Sequence, residues 1–93
     1  MSNERFGSVW DAIEDTQAQA ENMRLRSALM MALKDHITRE KLSQSQAAKM
    51  FGVTQPRVSD LKRGKIELFG LDSLVNMAAA AGLHVAMSLA PTA

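Results

Sequence analysis

Residues 42–65 read Leu42-Ser43-Gln44-Ser45-Gln46-Ala47-Ala48-Lys49-Met50-Phe51-Gly52-Val53, then Thr54-Gln55-Pro56-Arg57-Val58-Ser59-Asp60-Leu61-Lys62-Arg63-Gly64-Lys65. Ser43 with Gln46 three residues on is a capping box, which predicts the start of a short helix. Gly52 ends that helix, because a left-handed C-terminal residue strains the backbone least when it has no side chain. Val53 is an apolar spacer. Thr54 then stands where a second helix needs its cap, and Pro56 falls in the first turn, where a missing N–H is harmless. Gly64 closes the second helix. Two short helices joined by a tight Gly-containing turn form a helix-turn-helix. Ala48 is small enough to let the helices cross closely. Phe51, Val58 and Leu61 are placed to fill the junction.

Upstream, Thr16 and Gln19 form another potential capping box ahead of a long helical pattern reaching about Glu40. Leu25, Leu29, Leu33 and Ile37 recur every fourth residue, and Arg24, Ser27, Lys34 and Arg39 lie off that stripe. Met23, Met30, Met31 and Met50 are expected to fill core gaps. Further upstream, Ser8 and Asp11 suit the start of a short helix over 9–14. Downstream, Leu71, Leu74, Val75 and Ala78 define a helix over 71–81 that Gly82 stops. The segment 83–89 alternates apolar with small or polar residues before Pro91. This is strand periodicity, and a lone strand would need a mate in a second copy of the chain.

The chain is 93 residues long, enough for one domain with an arm. A fold of this size is marginal alone, and dimerisation would help it. Composition is that of a globular chain, with 46% hydrophobic and 23% charged residues. Cysteine is absent, which excludes disulfides, thiol catalysis and thiolate zinc sites and fits a reducing cytosol. No run of apolar residues is long enough to span a membrane, and no secretion signal is readable; a cytoplasmic location is expected. The net charge of +1 conceals a strong asymmetry. Residues 1–21 set Arg5 against Glu4, Asp11, Glu14, Asp15 and Glu21. Residues 22–65 carry ten Lys or Arg against Asp35, Glu40 and Asp60. A basic centre suits a phosphate backbone, since Lys and Arg release condensed counterions on binding. The same charges also suit solvated helix faces.

The pattern Leu42-Ser43-Gln44, Ala47-Ala48, Phe51-Gly52-Val53, Thr54-Gln55, Val58-Ser59, Leu61 and Arg63-Gly64 closely resembles the Xre or phage-repressor class of DNA-binding domains. That resemblance implies a mostly α, lambda-repressor-like helix-turn-helix bundle. With the flanking patterns it becomes about five helices and a short C-terminal β-strand. The division expected is an acidic arm at 1–20, the helix-turn-helix domain at 21–82 and a dimerising strand at 83–93. Val58 and Leu61 face inward, leaving Gln55, Arg57, Ser59 and Lys62 to face or flank a DNA groove. Gln pairs bidentately with adenine and Arg with guanine. Where the class often reads a base with the residue after the leading Gln, this chain has Pro56, which offers apolar contact only and shifts the polar reading to Gln55, Arg57 and Ser59. Gln44 matches the class's phosphate-binding Gln, and Arg63 and Lys65 stand where its loop meets the backbone. Thr54 and Lys62 complete the expected DNA-facing set. The alternative for Arg57 is an ion pair with Asp60, and for Gln44 a plain helix-start residue.

The overall layout, from Phe6-Gly7-Ser8-Val9-Trp10-Asp11 to the terminal strand, resembles HigA-like antitoxins. This implies a homodimer that represses its own operon at a near-palindromic duplex site and masks a RelE-like, ribosome-dependent mRNA-cleaving toxin. Phe6, Val9, Trp10 and Ile13 are the expected partner-binding face, and the alternatives are that this helix folds back on the long helix at 16–40 or stays mobile, as termini often do. A stand-alone regulator without a toxin, or an interaction module using the Trp10 arm, are the competing readings. No catalytic constellation is visible: His36 and His84 are isolated, and Glu14 and Asp15 are adjacent carboxylates that a helix points apart. No metal site and no cofactor are expected.

Overall fold

The computed structural model describes residues 2–91, and the side chains of residues 16–91. Helix α1 spans Ser2–Arg39, α2 Gln44–Phe51, α3 Gln55–Lys62 and α4 Leu71–Ala80, with a 3-10 turn at Ile66–Leu68 between α3 and α4. The expected helices over 9–14 and 16–40 are thus one helix, without a boundary at Ser8 or Thr16. No proline interrupts residues 2–39, and Ala, Glu, Gln, Met, Leu and Arg dominate residues 17–34, all good helix formers. The single Gly7 costs only about 1 kcal/mol, too little to break a helix that continues strongly on its far side. The side chains of Phe6, Val9, Trp10 and Ile13 lie outside the described residues.

The core is built from Met30, Leu33 and Ile37 of α1, Ala47, Ala48 and Phe51 of α2, Val58 and Leu61 of α3, Phe69, and Leu74, Met77 and Ala78 of α4. Helices α1 and α4 pack together, α2 packs on both α3 and α4, and α3 touches α1 only lightly. This leaves most of α3 at the surface. Two expectations about apolar stripes are corrected here. Leu25 is 39% exposed although Leu33 and Ile37 are buried. A four-residue step advances 400°, so the row drifts 40° at each repeat and leaves the buried face after two turns. Met23 and Met31 are exposed as well, Met31 at 64%; Met30 fills the core and Met50 packs against its edge.

All four helices end the same way. The residue after the last turn takes a left-handed conformation, and the next N–H reaches back five residues. Leu42 donates to Ile37 O, Val53 to Ala48 O, Lys65 to Asp60 O and Leu83 to Ala78 O, at 2.8–3.1 Å. This double-bonded terminus satisfies carbonyls that would otherwise be orphaned. Gly52 fills the left-handed position after α2 with φ +69°. The equivalent position after α1 is Lys41, with φ 53°. A side chain there strains the backbone by about 1–2 kcal/mol. Lys41→Gly is therefore expected to stabilise the domain by about 1 kcal/mol, less the extra freedom of glycine in the unfolded chain. A thermal melt checks this: the midpoint should rise by a few degrees, and a fall would refute the strain argument.

The C-terminal β-strand is not present. Residues 83–91 are irregular, and no strand occurs among the described residues. The alternation at 83–89 is real in the sequence, but a strand needs an edge to bond to, and an all-helical bundle offers none. Leu83 packs on the core, whereas Met87 and Leu89 are 83% and 94% exposed. Among the described residues the architecture is four α-helices and one 3-10 turn, instead of about five helices and a strand.

Candidate nucleic-acid interface

Local chemistry sets the two short helices. Gln46 N–H donates to the Ser43 hydroxyl at 3.1 Å, and Ser43 N–H donates to Gln46 Oε1 at 2.8 Å, so the capping box at the start of α2 is closed. At α3, Thr54 takes the extended backbone of an N-cap, with φ −81° and ψ 162°, but its side chain makes no capping bond. Its carbonyl accepts from Arg57 N and Val58 N at 3.1 and 3.2 Å. Pro56 lies in the first turn, where it removes no needed donor.

Val58 and Leu61 are fully buried and anchor α3 to the bundle. With 100° per residue, Pro56, Ser59 and Arg63 then point the opposite way, flanked by Gln55 and Lys62. Gln55, Pro56, Lys62 and Arg63 are exposed, and Ser59 and Lys65 are half-buried. Gln44, at the start of α2, is half-buried and donates from Nε2 to the Gln55 carbonyl at 3.2 Å. That bond ties the first turn of α2 to the first turn of α3. The Gln44 side chain is thereby brought to the start of α3, beside the Gln55 backbone.

Arg57 sits apart from this face. It is half-buried, its Nη1 donates to the Leu68 carbonyl at 2.8 Å, and its guanidinium lies 4.0 Å over the centre of the Phe69 ring. It makes no ion pair with Asp60; among the described residues the ion pair is that of Arg24 with Glu21. The Arg24 guanidinium holds the Glu21 carboxyl below its ordinary value by hydrogen bonding and then by charge, but both side chains are exposed, so the pair adds little.

Sequence reading missed Arg26. Its Nη1 reaches the carbonyls of Ile66 and Phe69 at 3.4 and 3.3 Å, and its Nε is buried without an acceptor among the described residues. The signal was available. Arg26, Met30, Leu33 and Ile37 are spaced by four, three and four residues, the true helical stripe, so Arg26 falls on the buried face. His36 stacks loosely near Phe51, with ring centres 6.5 Å apart, and His84 is exposed. Among the described residues no cluster of His, Asp or Glu has metal-binding geometry, and no helix is long and apolar enough to cross a membrane.

Residues 12–90 match the family model for a helix-turn-helix domain. The chain is also similar to a solved structure named as a candidate XRE-family transcriptional regulator. The two share 32% sequence identity with a TM-score of 0.72, over 80% of this chain and 83% of that one. Comparison with curated proteins returns no match.

Proposed function

The chain belongs to the Xre-type helix-turn-helix family, and on that premise we propose that it is a transcriptional regulator that binds duplex DNA through α3. The observation that carries this reading is the outward face of α3. Buried Val58 and Leu61 leave Gln55, Pro56, Lys62 and Arg63 exposed with Ser59 half-buried among them, and Gln44 is bonded to the start of the same helix. Gln55 and Ser59 supply polar base contacts, and Pro56 an apolar one to a thymine methyl. Gln44, Thr54, Lys62, Arg63 and Lys65 contact the backbone and set affinity.

A homodimer on a near-palindromic site follows from this use of the fold, with the two α3 helices about 34–36 Å apart, one turn of the duplex. The apolar groove lined by Leu25, Val75, Val85 and Met87 supports self-association. The regulator acts as a repressor in the cytoplasm. Its resemblance to HigA-like antitoxins extends the proposal to a RelE-like toxin as partner, tested by co-purification with the product of the neighbouring reading frame.

Selection from a pool of randomised duplexes, followed by titration of the enriched duplex between 50 and 200 mM salt, tests DNA binding. Affinity should fall by orders of magnitude across roughly this range, with a linear log–log slope. No enrichment and no salt dependence would overturn the reading. Gln55→Ala should relax preference at one base pair per half-site, at a cost of about 1–3 kcal/mol on the preferred duplex. An equal loss on preferred and scrambled duplexes would remove Gln55 from base reading.

A further inference from the structure

Arg57 lies in the motif's second helix, yet the structure commits its guanidinium elsewhere. One face rests on the Phe69 ring at 4.0 Å, and Nη1 is bonded to the Leu68 carbonyl at 2.8 Å. Phe69 is fully buried, so the platform is fixed. A cation over an aromatic face is held most strongly when partly desolvated, and Arg57 is half-buried. On the helix, Arg57 is set roughly a third of a turn from the outward Pro56–Arg63 face, on the side away from Gln55 and Lys62. To read a base, its side chain must give up both the ring and the carbonyl.

The segment it grips links the cations of α3 to α4. Lys65 opens the 3-10 turn Ile66–Leu68, and Phe69 closes it. Arg26 of α1 also reaches the same turn, at the Ile66 and Phe69 carbonyls. Two arginines from different helices therefore clamp one short turn. We propose that Arg57 is a positioning residue, which, seated on Phe69 and Leu68, locks α3 to the 65–69 turn. It thereby sets the position of the turn, and with it the backbone-contacting Lys65, relative to the base-reading face of α3. The proposal rests on the DNA-binding reading above, and it assigns Arg57 to affinity rather than to sequence preference.

The test compares the full-length wild-type chain with Arg57→Met, Arg57→Lys and Phe69→Leu. Each selects from the same pool of randomised duplexes. Each is then titrated with the duplex that the wild type enriches, at a temperature where all are folded. All four should enrich the same sequence. Arg57→Met should bind every duplex about tenfold more weakly, and Arg57→Lys, which keeps the charge but loses the forked donor, should lie between. Phe69→Leu, which removes the platform and keeps Arg57, should show a loss similar to that of Arg57→Met. In the wild type without DNA, the Arg57 side-chain protons should be shifted upfield by the Phe69 ring current in NMR spectra, and Phe69→Leu should abolish the shift.

Relaxed preference at one base pair per half-site in Arg57→Met alone would make Arg57 a base reader and overturn the proposal. Unchanged affinity of the folded variants would reduce the contact to a stabilising one and overturn it equally. A wild type that enriches no duplex would instead defeat the DNA-binding reading, and the positioning role with it. The ring-current shift distinguishes that failure from an incorrect placement of the side chain.

Discussion

Phe51→Ala is expected to leave little folded protein at ordinary temperature. Phe51 is among the largest fully buried side chains, in the core that α2 shares with α1, α3 and α4. Truncating a buried Phe to Ala costs about 3–5 kcal/mol, from lost transfer energy and the cavity left behind. Native domains hold only about 5–15 kcal/mol in total, and one of this size falls at the lower end. The loss is concentrated at the element that seats α3, so the helix-turn-helix geometry fails with it. A urea titration followed by circular dichroism measures the effect. The midpoint should fall steeply with an unchanged slope. A loss below about 1 kcal/mol would mean that neighbouring side chains collapse into the cavity and that the core is looser than its burial implies.

The second large effect concerns affinity. Replacing Lys62, Arg63 and Lys65 together by alanine removes three cations at the end of α3 and the start of the following turn. Lys62 and Arg63 are exposed and Lys65 half-buried, so none belongs to the core. Each cation that neutralises a phosphate adds about 0.9 to the salt slope. The triple variant should lose about three units of slope per half-site and on the order of 10²–10³ in affinity near 0.1 M salt. Preferred and scrambled duplexes should suffer alike, because phosphate contacts carry no sequence information. Fluorescence anisotropy across a salt series gives both quantities. A full slope in the triple variant would place the phosphate contacts elsewhere on the basic centre of the chain.

These two variants divide along the line between what neighbouring residues specify and what distant ones do. The helix-turn-helix was legible because each of its signals acts within about five residues. Ser43 and Gln46 cap one another, Gly52 takes the left-handed turn, and Pro56 occupies a position that needs no donor. Val58 and Leu61, three apart, place their own helix face inward wherever the rest of the chain goes. Most of the candidate interface therefore followed from residues 43–63 by themselves.

Other features depended on partners far along the chain. Arg57 meets Leu68 and Phe69, eleven and twelve positions away, and Arg26 meets Ile66 and Phe69 across forty and more. No local rule reveals that a basic residue has an aromatic ring and a bare carbonyl waiting for it. The first helix was misjudged for a related reason. Caps at Ser8 and Thr16 are permissive signals, and where chain on both sides favours helix, the helix runs through them. The strand reading failed because alternation describes one strand, whereas a strand exists only with an edge beside it. Local propensities, caps and turn residues wrote the helix-turn-helix into the sequence. Which arginine lies on which ring, and whether the last segment pairs, was decided only by packing, because those interactions have no partner within reach until the fold has formed.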